Sequence, residues 1–512
     1  MAFAWAALSG GLLFSSADAN PCQCNGFITP PSEDPFKRSS NIATTMGQLL
    51  LYLLPGVKAP PARILALVST SMYDAYACSA QTTSRPTTQC SKDASRSNII
   101  VEDAIAFAAF SSMKKVFMDS PSKIKLLTAV FIYLGYNPDK PGQSGQIGLD
   151  SSDAVFKKFM LGPKGNYMSV NKPSTTNDAS CSTLKDPSRF QGVCVQDEPG
   201  EACVPQMWIP NPILNGPLFS AEGNNSLAEL TSSVPPPPSL NGSLPETPPL
   251  RFGESEYFNQ ILTVLAYSGV LNDRRKASAE FFAPNAAITM FRFGLAEVSS
   301  RKLGTAESTK FLFSLGVALN DAFIATASTK AKYDTVRPLT ILQCAYRGAR
   351  MRAWREPYMG VQTFTNGEGE KLWTSYQQTP GFPGYTSGHS AVGAAGSFIL
   401  TKFFGEGHPR SANCFRWAAG TSMIEPRIEK GARGYIAGIT NVPNQGPGTK
   451  GYSPGRNATM CWRSWTEMSV ELANSRLYAG IHIPADNREG YILGRKAGRQ
   501  AFQYTARLFR GY

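Results

Sequence analysis

Three segments in the C-terminal half of the chain carry residue types suited to holding a tetrahedral oxyanion. The first, Lys330-Ala331-Lys332-Tyr333-Asp334-Thr335-Val336-Arg337-Pro338, sets a lysine and an arginine seven positions apart, a spacing that shares a helix face. Pro338 discourages helical continuation at Arg337, so the two long cations can converge on one point. The second runs from Gly381 to Ser390 (GFPGYTSGHS) into a helix of small residues. Ser387 is placed to N-cap that helix, Gly388 lets backbone N–H groups approach a ligand at the positive end of the helix dipole, and His389 can exchange protons near neutral pH. The third runs from Ser475 to Asp486 (SRLYAGIHIPAD), where Gly480 and Pro484 interrupt the helix and redirect His482 toward an anion held by Arg476. Asp486 has two roles open to it: orienting the His482 imidazole, or N-capping the next helix in a capping box with Glu489. One carboxylate can do both. Together the segments make an oxyanion cradle with a nucleophile or ligand and an acid–base group.

The elements that must position these residues are helices. Helix-like periodicity dominates and strand-like alternation is sparse, which predicts a mainly α protein. Helices are expected from Pro61 to Ala77, Ile99 to Phe117 and Ser122 to Leu134, forming an N-terminal bundle over residues 40–165. Residues 166–252 dissolve into Pro, Ser, Asn and Gly, with a proline run at 235–238, and are expected to be loop. Periodicity returns over 253–512, with helices expected at Glu254–Tyr267, Ala286–Val298, Thr309–Thr329, Ser390–Phe404, Trp462–Tyr478 and Asn487–Leu508. These form a second bundle, which carries all three segments. No fixed-period repeat or heptad run occurs.

Other motifs fail on physical grounds. Gly451-Tyr452-Ser453-Pro454-Gly455 matches G-x-S-x-G, yet a nucleophile elbow needs an N–H on the residue after serine, and proline has none. The chain has three histidines, His389, His408 and His482, and no Cys/His cluster with zinc spacing. His408, between Gly407 and Pro409, is expected in a solvated loop.

At 512 residues, 42% hydrophobic and 17% charged, the chain can bury a large core and is neither disordered nor a disulfide-stapled miniprotein. Its net charge of +13 favours anionic partners. Nucleic acid is disfavoured, because the Lys and Arg residues are spread thinly with no basic run. The first residues, MAFAWAALSGGLLFSSADAN, have signal-peptide length, and residues 1–19 end in the small-x-small site Ala17-Asp18-Ala19, so secretion is expected. The ten cysteines all lie beyond that site and suit an oxidising compartment, with Cys78–Cys90 the one local pairing expected. Sequons at Asn224, Asn241 and Asn457 agree with a secreted glycoprotein. No later segment is a run of 18 or more apolar residues, so no integral membrane segment is expected.

The combination K-x6-RP, SGH and SR-x3-G-x-H-x3-D resembles the signature shared by vanadium-dependent haloperoxidases and type 2 phosphatidic acid phosphatases. Order and internal spacings all match. Similarity to the soluble haloperoxidases extends through PPARILALVSTSMYDAYA and DNREGYILGRKAG, covering roughly Ile42 to Leu508. The resemblance implies two helical bundles with vanadate in the second. It implies His482 as the axial ligand to vanadium and Lys330, Arg337, Ser387, Gly388 and Arg476 as donors to the vanadate oxygens. It also implies His389 as the acid–base residue, with Asp486 and Phe382 in support. Lys332 competes for the lysine role, and Lys330 is preferred because its offset to Arg337 matches the family. The implied reaction oxidises halide with hydrogen peroxide to hypohalous acid, which passes to small organic acceptors. Three positions depart from or vary within the pattern: Thr386 replaces a proline often found before SGH, Ala327 stands where some relatives carry tryptophan or arginine, and Phe382 matches chloride-oxidising relatives. Bromide oxidation is expected first and chloride second. The competing expectation is a secreted acid phosphatase in which the same cradle holds phosphate, His482 is a covalent nucleophile and His389 protonates the leaving group.

Overall fold

The computed structural model describes residues 41–57, 60–90, 98–160, 193–195, 204–206, 247–333, 335–367, 369–407, 409, 414–426 and 452–511. The expected signal segment, the sequons at Asn224 and Asn241, the proline run and His408 lie outside them.

Polar caps and N1 prolines set many of the helix starts. Helix α1 (Ile42–Leu53) begins at Asn41, whose side chain accepts from Thr44 N at 3.2 Å. α2 (Pro61–Ser79) and α4 (Pro121–Tyr133) start on a proline, whose missing N–H costs nothing at that position, and α3 (Val101–Val116) lies between them. α5 (Gly142–Met160) was not foreseen, because its buried face mixes Ile147, Val155 and Phe156 with Ser144, Ser151 and Ser152, and Ser152 Oγ bonds Ser112 Oγ at 2.9 Å and accepts from Lys115 Nζ at 2.7 Å. A ribbon of β1 (Val193–Val195) and β2 (Val204–Gln206) lies within the stretch expected to be loop.

The second half contains α6 (Ser255–Gly269), α7 (Asp273–Phe281), α8 (Ala286–Ser300), α9 (Thr305–Tyr333) and the short α10 (Pro338–Cys344). It continues with α11 (Gly388–Phe404), α12 (Trp465–Tyr478) and α13 (Pro484–Phe509). Two further antiparallel ribbons pair β3 (Arg350–Trp354) with β4 (Val361–Thr365), and β5 (Cys414–Trp417) with β6 (Ala458–Cys461). Among the described residues the sheets are all two-stranded, so the expected mainly α class holds.

One apolar cluster joins Leu49, Val68, Phe110 and Phe131 from the first helices to Met290, Phe311, Ile399, Leu472 and Ala497 from the later ones. Tyr73 of α2 stacks on Phe313 of α9 with ring centroids 4.2 Å apart. Residues Thr305–Ala327 of α9 are long and apolar enough to cross a bilayer, and they are largely buried in this core. The Cys78–Cys90 disulfide forms as expected, and a second joins Cys414 to Cys461 across β5 and β6. Ser453 is no nucleophile: its Oγ donates to Asp273 Oδ1 at 3.2 Å.

Candidate functional site

α9 ends at Tyr333, and Arg337 is the extended N-cap of α10 (φ −93°, ψ 154°). Lys330 and Arg337 therefore do not meet on one helix face, as their spacing suggested. Instead the break ahead of Pro338 folds both side chains over the Phe382-Pro383-Gly384 turn. Lys330 Nζ donates to the Pro383 and Gly384 carbonyls at 2.6 and 2.8 Å, and Arg337 Nε donates to the Phe382 carbonyl at 2.8 Å. The Phe382 ring lies against both cations, 5.3 Å from Lys330 Nζ and 5.1 Å from Arg337 Cζ.

α12 ends at Tyr478, and Gly480 takes the positive φ of 77° that reverses the chain. The reversal brings His482 to Arg337, whose Nη1 lies 2.7 Å from the Ile481 carbonyl and 3.0 Å from His482 Nε2. On the other side of the ring, His482 Nδ1 is 2.8 Å from Asp486 Oδ2. A carboxylate only accepts, so Nδ1 carries the proton and Nε2 presents a lone pair. Burial first, then Arg337 and Lys330, hold the imidazole well below its ordinary value and keep it neutral. Burial pushes Asp486 up to about 6 against the pull of Lys330 and Arg337.

Of the two roles open to Asp486, orienting the His482 imidazole is the one realised, and Asp486 does not N-cap the next helix. α13 starts at Pro484 with Ile483 as N-cap, so Asp486 is the third helical residue. Its Oδ2 accepts from Ile483 N at 3.4 Å, and Glu489 instead pairs with Arg488 at 3.0 Å.

Ser387 does N-cap α11, its Oγ accepting from Ser390 N at 3.4 Å and Ser390 Oγ at 3.0 Å. Its backbone N donates to Asp486 O at 2.9 Å, tying the two halves of the site together. Below this contact α13 presents Gly490, Gly494 and Gly498 to α11. A Cβ at Gly494 would stand 2.0 Å from Ala391 O, and one at Gly490 2.5 Å from Ser387 O. By contrast, a Cβ at Gly388 would meet nothing closer than Thr326 Cγ2 at 3.5 Å, so packing alone does not require glycine there.

Arg476 is buried, with Nη2 donating to Ala279 O at 2.8 Å, Nη1 to Gln377 Oε1 at 3.1 Å and Nε to Ser475 Oγ at 3.0 Å. Burial holds its guanidinium down to about 9 and that of Arg337 to about 10, while Lys330 is held well below its ordinary value by burial and then by Arg337. His389 is partly exposed, its Nε2 3.2 Å from Pro284 O. Burial of most of its ring, then Arg476, lowers it to about 3, so it too is neutral.

The expected residues Lys330, Arg337, Phe382, Ser387, His482 and Asp486 are thus joined by direct contacts, and Arg476 and His389 lie near enough to depress His482. Among the described residues, three buried cations lie at the site with one carboxylate, Asp486, in contact with it. Among the described residues, two buried donors beside the site lack partners, Arg337 Nη2 and Thr386 Oγ1. Sequence reasoning missed Gln377 and the Ala279 carbonyl, which hold Arg476; a backbone oxygen and one glutamine in a loop carry no spacing signal. The side chain of Lys332 lies outside the described residues.

Residues 310–511 match the VCPO second helical-bundle domain. No curated protein matches the chain. Among solved structures it is similar to an apo-type bacterial vanadium-dependent chloroperoxidase, at 18% identity over 88% of this chain and 94% of that one, with a TM-score of 0.66. A holo-type bacterial vanadium-dependent chloroperoxidase aligns at 17% identity over 94% and 95%, with a TM-score of 0.65. A bacterial vanadium-dependent iodoperoxidase aligns at 19% identity over 93% and 97%, with a TM-score of 0.57. At these identities the likeness to solved structures is one of fold.

Proposed function

We propose that this chain, whose residues 310–511 belong to the VCPO second helical-bundle family, is a secreted vanadate-dependent haloperoxidase oxidising bromide, and secondarily chloride, with hydrogen peroxide. The observation that carries the proposal is the excess of buried positive charge around His482, with Arg337 Nη2 left partnerless beside a neutral imidazole. Three buried cations against one carboxylate favour a multiply charged oxyanion, and a deprotonated Nε2 suits ligation of its central atom.

Lys330, Arg337 and Arg476 would hold the oxygens of vanadate, joined by Ser387 Oγ and the Gly388 N–H at the N-terminus of α11. His482 Nε2 would be the ligand, and Asp486 fixes its tautomer by accepting the proton of Nδ1. When bound, vanadate supplies a Lewis-acidic centre at which hydrogen peroxide is activated toward halide. Burial and Arg476 lower His389 to about 3, and a bound oxyanion beside it would raise that value toward neutrality and fit the imidazole to exchange a proton with hydrogen peroxide. Phe382, packed against two cations, gives the halide an apolar wall and limits access of water. The described disulfides agree with secretion.

The test is bromide oxidation by EDTA-treated protein with hydrogen peroxide, with and without orthovanadate, run beside phosphate-ester hydrolysis on the same vanadate-free sample. Vanadate-dependent bromination that is lost in His482→Ala supports the peroxidase. Phosphate release without bromination at any vanadate concentration overturns it and makes His482 a phosphate-accepting nucleophile.

A further inference from the structure

We propose that Gln377 positions Arg476 while sparing its charge, so that the amide, rather than a carboxylate at this place, sets the affinity of the site for a multiply charged oxyanion. The inference deepens the oxyanion reading above and rests on it.

Gln377 is built into the end of α12. Its backbone N donates to Ala479 O at 3.2 Å, and its carbonyl accepts from Ser375 Oγ, so the residue is anchored to the turn that follows Arg476. Its side chain then closes a triangle. Oε1 accepts from Arg476 Nη1 at 3.1 Å, Nε2 donates to Ala279 O at 2.8 Å, and Arg476 Nη2 donates to that same carbonyl at 2.8 Å. The orientation of the amide is fixed by these partners, since a guanidinium only donates and a carbonyl only accepts.

Every described partner of Arg476 is neutral: an amide, a carbonyl and the Ser475 hydroxyl. Burial is what lowers its pKa, with no carboxylate near enough to raise it. The nearest candidate, Glu280, follows Ala279 on α7, but its carboxylate is taken by Tyr376 Oη, by Ser422 Oγ at 2.6 Å and by Met423 N at 2.5 Å. Glu425 is paired with Lys276 at 2.5 Å. Arg476 is thus oriented through three neutral acceptors, and its whole charge remains for an anion. Lys330 likewise leans on carbonyls, and among the described residues Asp486 is the one carboxylate in contact with the cradle.

A glutamate at 377 would keep an acceptor for Arg476 Nη1 and neutralise Arg476, while replacing the donor Nε2 with an oxygen facing the Ala279 carbonyl. A role limited to holding the loop predicts instead that Gln377→Glu, which loses the bond to the Ala279 carbonyl, lowers the melting temperature together with the affinity. The experiment measures dissociation constants of inorganic orthovanadate and orthophosphate by titration calorimetry for the full chain, Gln377→Ala and Gln377→Glu at pH 8. We expect Gln377→Glu to weaken both anions by at least about tenfold, more than Gln377→Ala does, with no loss of melting temperature in anion-free buffer. Affinity in Gln377→Glu should recover as pH falls and the new carboxyl protonates, while Gln377→Ala should show no such recovery. Binding by Gln377→Glu as tight as by the unsubstituted chain, or tighter than by Gln377→Ala, overturns the inference. Failure of the unsubstituted chain to bind either anion overturns the oxyanion reading itself.

Discussion

The molecule buries charge in two neighbouring places and treats it in opposite ways. Around α7, Lys276 is paired with Glu425, Trp354 Nε1 donates to the same carboxylate at 2.8 Å, Glu280 accepts from Ser422 and Met423, and Asp273 accepts from Ser453 and Gly455. That cluster closes on itself. The His482 cradle sets Lys330, Arg337 and Arg476 against Asp486 and leaves a guanidinium nitrogen without a partner. Burying an ionised group costs several kcal/mol unless its hydrogen bonds are completed, so a buried guanidinium donor left without a partner marks a place that a ligand completes. Buried charge as such marks neither place as functional; unfinished pairing marks the second.

The comparison breaks most visibly through His482→Ala. We expect a loss of at least about 10³-fold in vanadate-dependent bromide oxidation, because a ligand and its oriented lone pair both disappear, while urea denaturation shows a native-like transition. Glu425→Ala should do the reverse. Leaving Lys276 buried and unpaired should cost about 3–5 kcal/mol in urea denaturation. In the residual folded fraction, the anion affinity of the cradle should change little.

The third outcome concerns linkage. Orthovanadate at a hundred times its dissociation constant should stabilise the unsubstituted protein by about 2.7 kcal/mol, and this gain should vanish in Arg337→Met but survive in the Cys78→Ala/Cys90→Ala variant. The smallest effect is a slope. The Lys330 ammonium is held well below its ordinary value by burial and by Arg337, and loss of its proton removes a cation. Anion affinity should therefore fall as pH rises through that lowered pKa, by about tenfold per pH unit once one proton is lost, and the fall should flatten in Lys330→Met. Calorimetric titration over a pH series, run on the unsubstituted chain and Lys330→Met side by side, reads it directly.

The same contrast explains what was legible in the sequence. The cradle residues could be read because cations, a histidine and helix-breaking Gly and Pro recur at short spacings, and Ser387, Gly480 and Pro484 take the positions those residue types favour. Helices with an apolar stripe, such as α2, α8 and α11, were legible within a few residues. α7 was not. Its sequence DRRKASAEF has no apolar face, since its buried side is made of Asp273, Lys276 and Glu280, and their partners come from about 150 to 180 residues later. The convergence of Lys330 and Arg337 was foreseen from a shared helix face together with the break at Pro338, and the break is the part that holds. Gln377 gave no signal, because its importance lies in what it touches.

The glycines of α13 place a mechanical constraint on the two halves of the cradle. Gly490 and Gly494 let backbone rest on backbone against α11, so the gap between Ser387 and His482 is gauged by main-chain atoms, which no core substitution trims or thickens. Repacking of side chains elsewhere can soften the protein without altering the bore of the site. One methyl group at Gly494 would act as a shim, prising the histidine-bearing turn away from the helix terminus that faces it.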